Sequence, residues 1–136
     1  SNVGSISLSS SATAYNTSSD YRLKENVDYT WDATTRLKQL KPARFNFIAD
    51  DTNTLVDGFI AHEVSSVVPE AVTGAKDAMT AQVLYAEGDE LPEGKSVGDV
   101  KKPSVIDPQG IDQSKLVPLL VKTIQELEAR ITALEA

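Results

Sequence analysis

Near the C-terminus the apolar residues Val117, Leu120, Ile124, Leu127, Ile131 and Leu134 recur in alternating steps of three and four. That spacing returns side chains to one stripe of a helix and fills positions a and d of successive heptads. The pattern predicts a coiled-coil helix over 114–136, with Pro118 in its first turn, where the missing amide hydrogen does least damage. Glu128 and Glu135 fall at e and Arg130 at g, so Arg130 of one helix can face Glu135 of a parallel neighbour. An exposed pair of this kind contributes only about 0–1 kcal/mol. A helix of this length is marginal alone, which predicts packing against partner copies. Val or Ile at a with Leu at d is the arrangement associated with parallel dimers, so the periodicity predicts self-association without fixing its order.

The rest of the chain carries shorter signals. Ser and Thr dominate 1–18, with early alternation at Val3 and Ser5-Ile6-Ser7-Leu8, predicting a short strand that enters a flexible stretch, like the end of a larger β-rich stalk. Composition changes at Ser19, where Ser19-Asp20-Tyr21-Arg22-Leu23-Lys24-Glu25-Asn26 is rich in charge. After Trp31, Asp32 can cap a short helix that Pro42 ends, with Leu37 and Leu40 on its buried face. Ala43–Ile48 and Leu55–Ile60 flank the polar run Asp50-Asp51-Thr52-Asn53-Thr54, predicting a β-hairpin with Phe45 and Phe47 toward one face. Ala61 to Val68 has a helical pattern with Val64, Val67 and Val68 apolar, stopped by Pro69. Segment 73–110 is rich in Gly, Pro and charge with brief apolar interruptions such as Val83-Leu84-Tyr85. It predicts a protruding loop or hairpin, ordered only by contact with the body or another chain. The expected class is α+β: a short N-terminal β stalk end, a small helix and hairpin body, the long excursion and the C-terminal helix.

At 136 residues and 40% hydrophobic, the chain has room for one modest core. A formal net charge of −7 with scattered Lys and Arg argues against nucleic acid as a partner. No apolar run approaches the roughly 20 residues of a membrane span, so no membrane partner is expected and the chain reads as soluble. One His and no Cys make a transition-metal site improbable. His62 beside Glu63 lacks a third ligand, and adjacent helical residues point apart. Asp50-Asp51-Thr52-Asn53 departs from calcium-loop spacing and suits a polar turn. Tyr21, Tyr29 and Trp31 suit local packing better than a binding platform. No cofactor and no small-molecule substrate are expected.

Several ordered blocks then align with a known pattern: Tyr15-Asn16-Thr17-Ser18-Ser19-Asp20-Tyr21-Arg22-Leu23-Lys24-Glu25-Asn26-Val27, Leu40-Lys41-Pro42 with Phe45, Gly58-Phe59-Ile60-Ala61-His62-Glu63-Val64, Pro69-Glu70-Ala71-Val72, Leu116-Val117-Pro118-Leu119-Leu120-Val121-Lys122 and Glu126-Leu127-Glu128-Ala129-Arg130-Ile131. In these blocks the chain resembles the C-terminal intramolecular chaperone domain of phage endosialidases, tail fibres and neck appendages, a domain that also self-cleaves in a eukaryotic membrane-bound transcription factor. His62 stands where Gln is common, and the excursion has its own length. The resemblance implies a homotrimer with a parallel coiled coil, a chaperone domain over 19–136, and an upstream stalk as folding client. It implies assembly in the host cytoplasm as part of a phage tail or appendage precursor, followed by release from the mature fibre. It also implies autoproteolysis between Ser18 and Ser19 by a Ser-Lys dyad of Ser19 and Lys24, with Asp20, Arg22 and Asn26 as supporting residues. A trimerisation cap that never cleaves, or a receptor-binding fibre tip, are the alternatives.

The chemistry asked of the dyad is stringent. A serine hydroxyl needs a base within hydrogen-bond reach, and an amine serves only when unprotonated. Lysine in water titrates near 10.4, so burial or a neighbouring cation such as Arg22 has to help. The expectation is that assembly forces the hydroxyl and amine together and buries Lys24. Without the dyad, Ser19-Asp20 would be a turn cap and Lys24 a solvated charge.

Overall fold

Backbone pairing organises the N-terminal segment. The computed structural model describes residues 4–136, and the expectation at Val3 lies outside them. Strands β1 (Gly4–Leu8) and β2 (Thr13–Thr17) form an antiparallel hairpin in which Gly4 faces Thr17 and Leu8 faces Thr13. Ser9 closes the turn: its amide donates to Ala12 O at 2.8 Å and its Oγ accepts Ala12 N–H at 3.0 Å. A side chain at position 4 would meet Asn16 O at 2.6 Å, so only glycine fits that close approach. A flexible stretch after Leu8 is therefore replaced by a second strand. All ten strand residues are exposed, and ladder hydrogen bonds, indifferent to Ser/Thr composition, define both strands. The chain divides at Trp31–Asp32 into two units, this being part of the first.

In the second unit, helix α1 (Ala33–Leu37) begins where Asp32 accepts Thr35 N–H at 3.1 Å. It ends short of Pro42, continuing as turns through Leu40. Ala33 is fully buried, while Leu37 and Leu40 are half-buried. Strands β3 (Ala43–Phe45) and β4 (Val56–Gly58) form the predicted hairpin, trimmed to three residues each, and Phe45 and Phe47 meet edge to face at 5.4 Å. Helix α2 (Ala61–Ser65) is shorter than its apolar pattern, but Val68 N–H still donates to Val64 O at 2.7 Å. Val64, Val67 and Val68 thus stay buried and join Ala33, Ala71, Leu116 and Leu119 as the core. Arg36 ties α1 across this core, donating Nε–H to Val67 O at 2.8 Å and pairing with Glu70 at 3.3 Å.

The excursion is a two-limbed antiparallel ladder. At its base β5 (Val72–Thr73) pairs with β8 (Gly110–Ile111), and further out β6 (Val83–Leu84) pairs with β7 (Val100–Lys102). Between them Thr80 N–H donates to Val105 O at 2.8 Å and Asp107 N–H to Ala78 O at 2.9 Å. Order that was expected only from contact with the body or a partner is supplied here by the limbs' own backbone bonds. Met79, Val83, Val100, Val105 and Ile106 remain exposed along it.

Asp112 caps a short turn, Gln113–Leu116, that leads into helix α3 (Val117–Glu135), with Pro118 in the first turn. This helix has two working faces. Leu116, Leu119, Thr123 and Glu126 lie against the core and α1. Val117, Leu120, Ile124, Leu127, Ile131 and Leu134 are exposed, by 41% at Leu127 to 84% at Leu134. At about 100° of rotation per residue the two stripes lie roughly a quarter-turn apart. No helix of the described residues is long and apolar enough to cross a membrane.

Candidate functional site

A tight turn brings Ser19 and Lys24 together. After β2 the chain passes through Ser18 and Ser19 to Asp20, whose Oδ1 accepts Arg22 N–H at 2.9 Å and caps a single 3-10 turn, Tyr21–Leu23. Leu23 N–H donates to Asp20 O and Lys24 N–H to Tyr21 O, each at 3.1 Å. Lys24 then leaves in an extended conformation, which returns its side chain toward the start of the turn. Its Nζ donates to Ser19 Oγ at 2.7 Å. Both side chains are exposed. Mutual approach, which was expected only on docking of partner strands, is present in the single chain, because a five-residue separation across one turn suffices.

Arg22 is engaged with Asp20. Its Nε and Nη2 donate to the two oxygens of Asp20 at 3.0 and 2.7 Å. This side-chain pairing, joined by the Arg22 backbone amide, holds the Asp20 carboxyl below its ordinary range, and the nearby Lys24 charge adds to the effect. The same pairing raises Arg22. A guanidinium neutralised in this way is a poor lever on a neighbouring amine; Asp20 and Arg22 brace the turn instead. Asn26 has φ +52°, in the left-handed region that Asn tolerates better than most residues, and turns the chain after Lys24. Tyr21 and Tyr29, expected to pack locally, are each about four-fifths exposed, at 82% and 81%.

The remaining candidates resolve into structural roles. Glu63 pairs with Lys41 at 3.3 Å, whereas His62 lines a cleft of about 340 Å³ at the base of the excursion with Lys76, Asp77 and Asp107. Asp50 spends both oxygens on its own loop, accepting Thr52 N–H at 3.0 Å, Thr52 Oγ1–H at 2.6 Å and Thr54 N–H at 2.9 Å. Those bonds keep its carboxyl ionised to lower pH than usual. Among the described residues no group of three or more His, Cys, Asp or Glu is arranged for a metal ion.

Glu126 was not singled out from the sequence, although it lies in one of the aligned blocks. Its Oε1 accepts Ala33 N–H at 2.9 Å, and its Oε2 accepts Thr34 N–H at 2.8 Å together with the Thr34 hydroxyl. A carboxylate on a helix carries no local sign of being a cap for another helix; only the free donors of α1 give it that meaning.

No curated protein matches the chain significantly. Residues 19–73 match the model of a peptidase family described as the chaperone of endosialidase, a match that begins at Ser19 itself and spans the turn, α1, the β3–β4 hairpin and α2. Over that segment the chain is similar to the endosialidase-type chaperone family.

Proposed function

We propose that this chain is an intramolecular chaperone that associates as a homotrimer through the α3 seam, assists folding of polypeptide upstream of Ser19, and then severs the Ser18–Ser19 bond. The similarity of residues 19–73 to that family supports a phage tail or fibre context with an upstream endosialidase or fibre client. The observation that carries the reading is the 2.7 Å contact between Lys24 Nζ and Ser19 Oγ. The exposed stripe from Val117 to Leu134 supports the oligomer, since a single chain leaves it in water.

The chemistry follows from connectivity. Ser19 Oγ attacks the Ser18 carbonyl carbon through a five-membered ring as unprotonated Lys24 accepts the hydroxyl proton. The tetrahedral oxyanion collapses with cleavage of the Ser18 C–Ser19 N bond, and Lys24 returns a proton to the departing nitrogen. The resulting ester joins Ser18 to Ser19 Oγ. Water hydrolyses it, giving a Ser18 carboxylate, the free hydroxyl and a new N-terminus at Ser19. In the single chain Lys24 is exposed, and a covering surface supplied by assembly is the switch.

Purified wild-type chain should show on a denaturing gel the loss of its first 18 residues and, by mass spectrometry, an N-terminus at Ser19. Ser19→Ala and Lys24→Met should assemble and stay whole. Efficient cutting by Ser19→Ala would refute the mechanism, and an intact assembled wild type would favour a cap that never cleaves.

A further inference from the structure

Helix α1 spans only five residues, and its first turn has amide donors that no internal carbonyl can satisfy. Asp32 takes the third, from Thr35. The first two go to one carboxylate 93 and 92 residues away, Glu126, with both of its oxygens engaged. Glu126 projects from the middle of the helix that carries the heptad seam, on the neighbouring face. The core alone would press α1 against α3, as Leu119 and Ala33 are both buried. Apolar contact is non-directional, however, whereas two amides and a hydroxyl meeting one carboxylate allow a single register. Asp32 is also the residue directly after the Ser19-to-Trp31 segment.

We propose that Glu126 is a positioning residue for self-cleavage: its carboxylate latches the start of α1 to α3, so that the chain leaving the Ser19–Lys24 turn is anchored only when the seam-bearing helix has formed. This rests on the self-cleavage reading above. It makes folding of the C-terminal helix a condition for cutting at the other end of the sequence. Glutamine cannot replace the carboxylate, because its amide nitrogen would confront an N–H donor.

The test follows refolding of the full chain, scoring cleavage on denaturing gels against the assembled fraction by sedimentation. Glu126→Gln should slow cutting per assembled chain about tenfold, the equivalent of one lost charge-assisted bond. Thr34→Val removes one donor and should slow it about threefold. Val67→Ala weakens the core with the latch intact, and should cut at the wild-type rate despite a lower melting temperature. Wild-type cutting by assembled Glu126→Gln would overturn the assignment, as would equal slowing in Val67→Ala. If Glu126→Gln yields no assembled chain, Thr34→Val decides, and an unchanged rate there overturns it. A wild-type chain that never cuts would instead remove the underlying reading, with this one.

Discussion

Leu119 and Leu120 are adjacent in sequence and belong to different surfaces, so truncating each in turn separates the fold from the assembly. Leu119 is 2% exposed against the core, and Leu→Ala at such a site costs about 2–5 kcal/mol, a large part of a small domain's stability. Leu120 is 47% exposed in the single chain. Full burial of a leucine is worth about 1.5–3 kcal/mol, so about 1 kcal/mol is at stake within the chain and a similar amount per copy when the seam closes. Three copies would lose about 3 kcal/mol, or roughly a hundredfold in association constant. Both substitutions belong in the Ser19→Ala background, in which the proposed cleavage is not expected. Denaturant melts at low concentration should report a large loss for Leu119→Ala and a small one for Leu120→Ala; sedimentation equilibrium should show weakened association for Leu120→Ala. Unchanged association in Leu120→Ala would refute the seam. So would weakened association with intact single-chain stability in Leu119→Ala.

Asn26, at φ +52°, should tolerate glycine, whereas Asn26→Val should cost about 1–2 kcal/mol in local strain and slow cutting on denaturing gels. Thr123 is 4% exposed and its hydroxyl has no partner among the described residues; Thr123→Val should raise stability by about 1–2 kcal/mol in urea melts, and a loss would count against the packing described. The Glu126 carboxyl is lowered from 4.5 first by the Ala33 amide, then by the Thr34 hydroxyl and amide, with Asp32 opposing weakly. Its stabilising contribution is therefore complete above its unfolded pKa and lost as pH falls through the lower folded value. Protection of the Ala33 and Thr34 amides, taken relative to their intrinsic exchange rates, should fall as the pH drops below 4.5, and Glu126→Gln should lack that transition.

Signals that were local in sequence were legible. Asp32 announced the start of α1 by its capping chemistry, the polar run at 50–54 announced the β3–β4 turn, and Val64, Val67 and Val68 announced a buried stripe that survived the shortening of α2. What pairs at a distance was not. Strand β2 has no buried face and consists of Thr, Ala, Tyr and Asn, so nothing alternates. The ladder between Ala78 and Asp107 is made of backbone bonds that leave no periodicity behind. The second face of α3 was hidden because Thr123 and Glu126, polar residues, occupy half of it, while the apolar seam beside it dominated the pattern. At the candidate site the Ser19 and Lys24 pair was suggested by resemblance, and the turn that seats it became visible only through the Asp20 cap and the Asp20–Arg22 pairing.

That turn closes on itself. The contacts described from Ser19 to Lys24 run between residues of the same short stretch, and none of them calls on a side chain from the hairpin ahead. A blade that carries its own hilt can be fitted to many handles: a change of sequence just before residue 19 would leave the Ser19–Lys24 geometry as it stands.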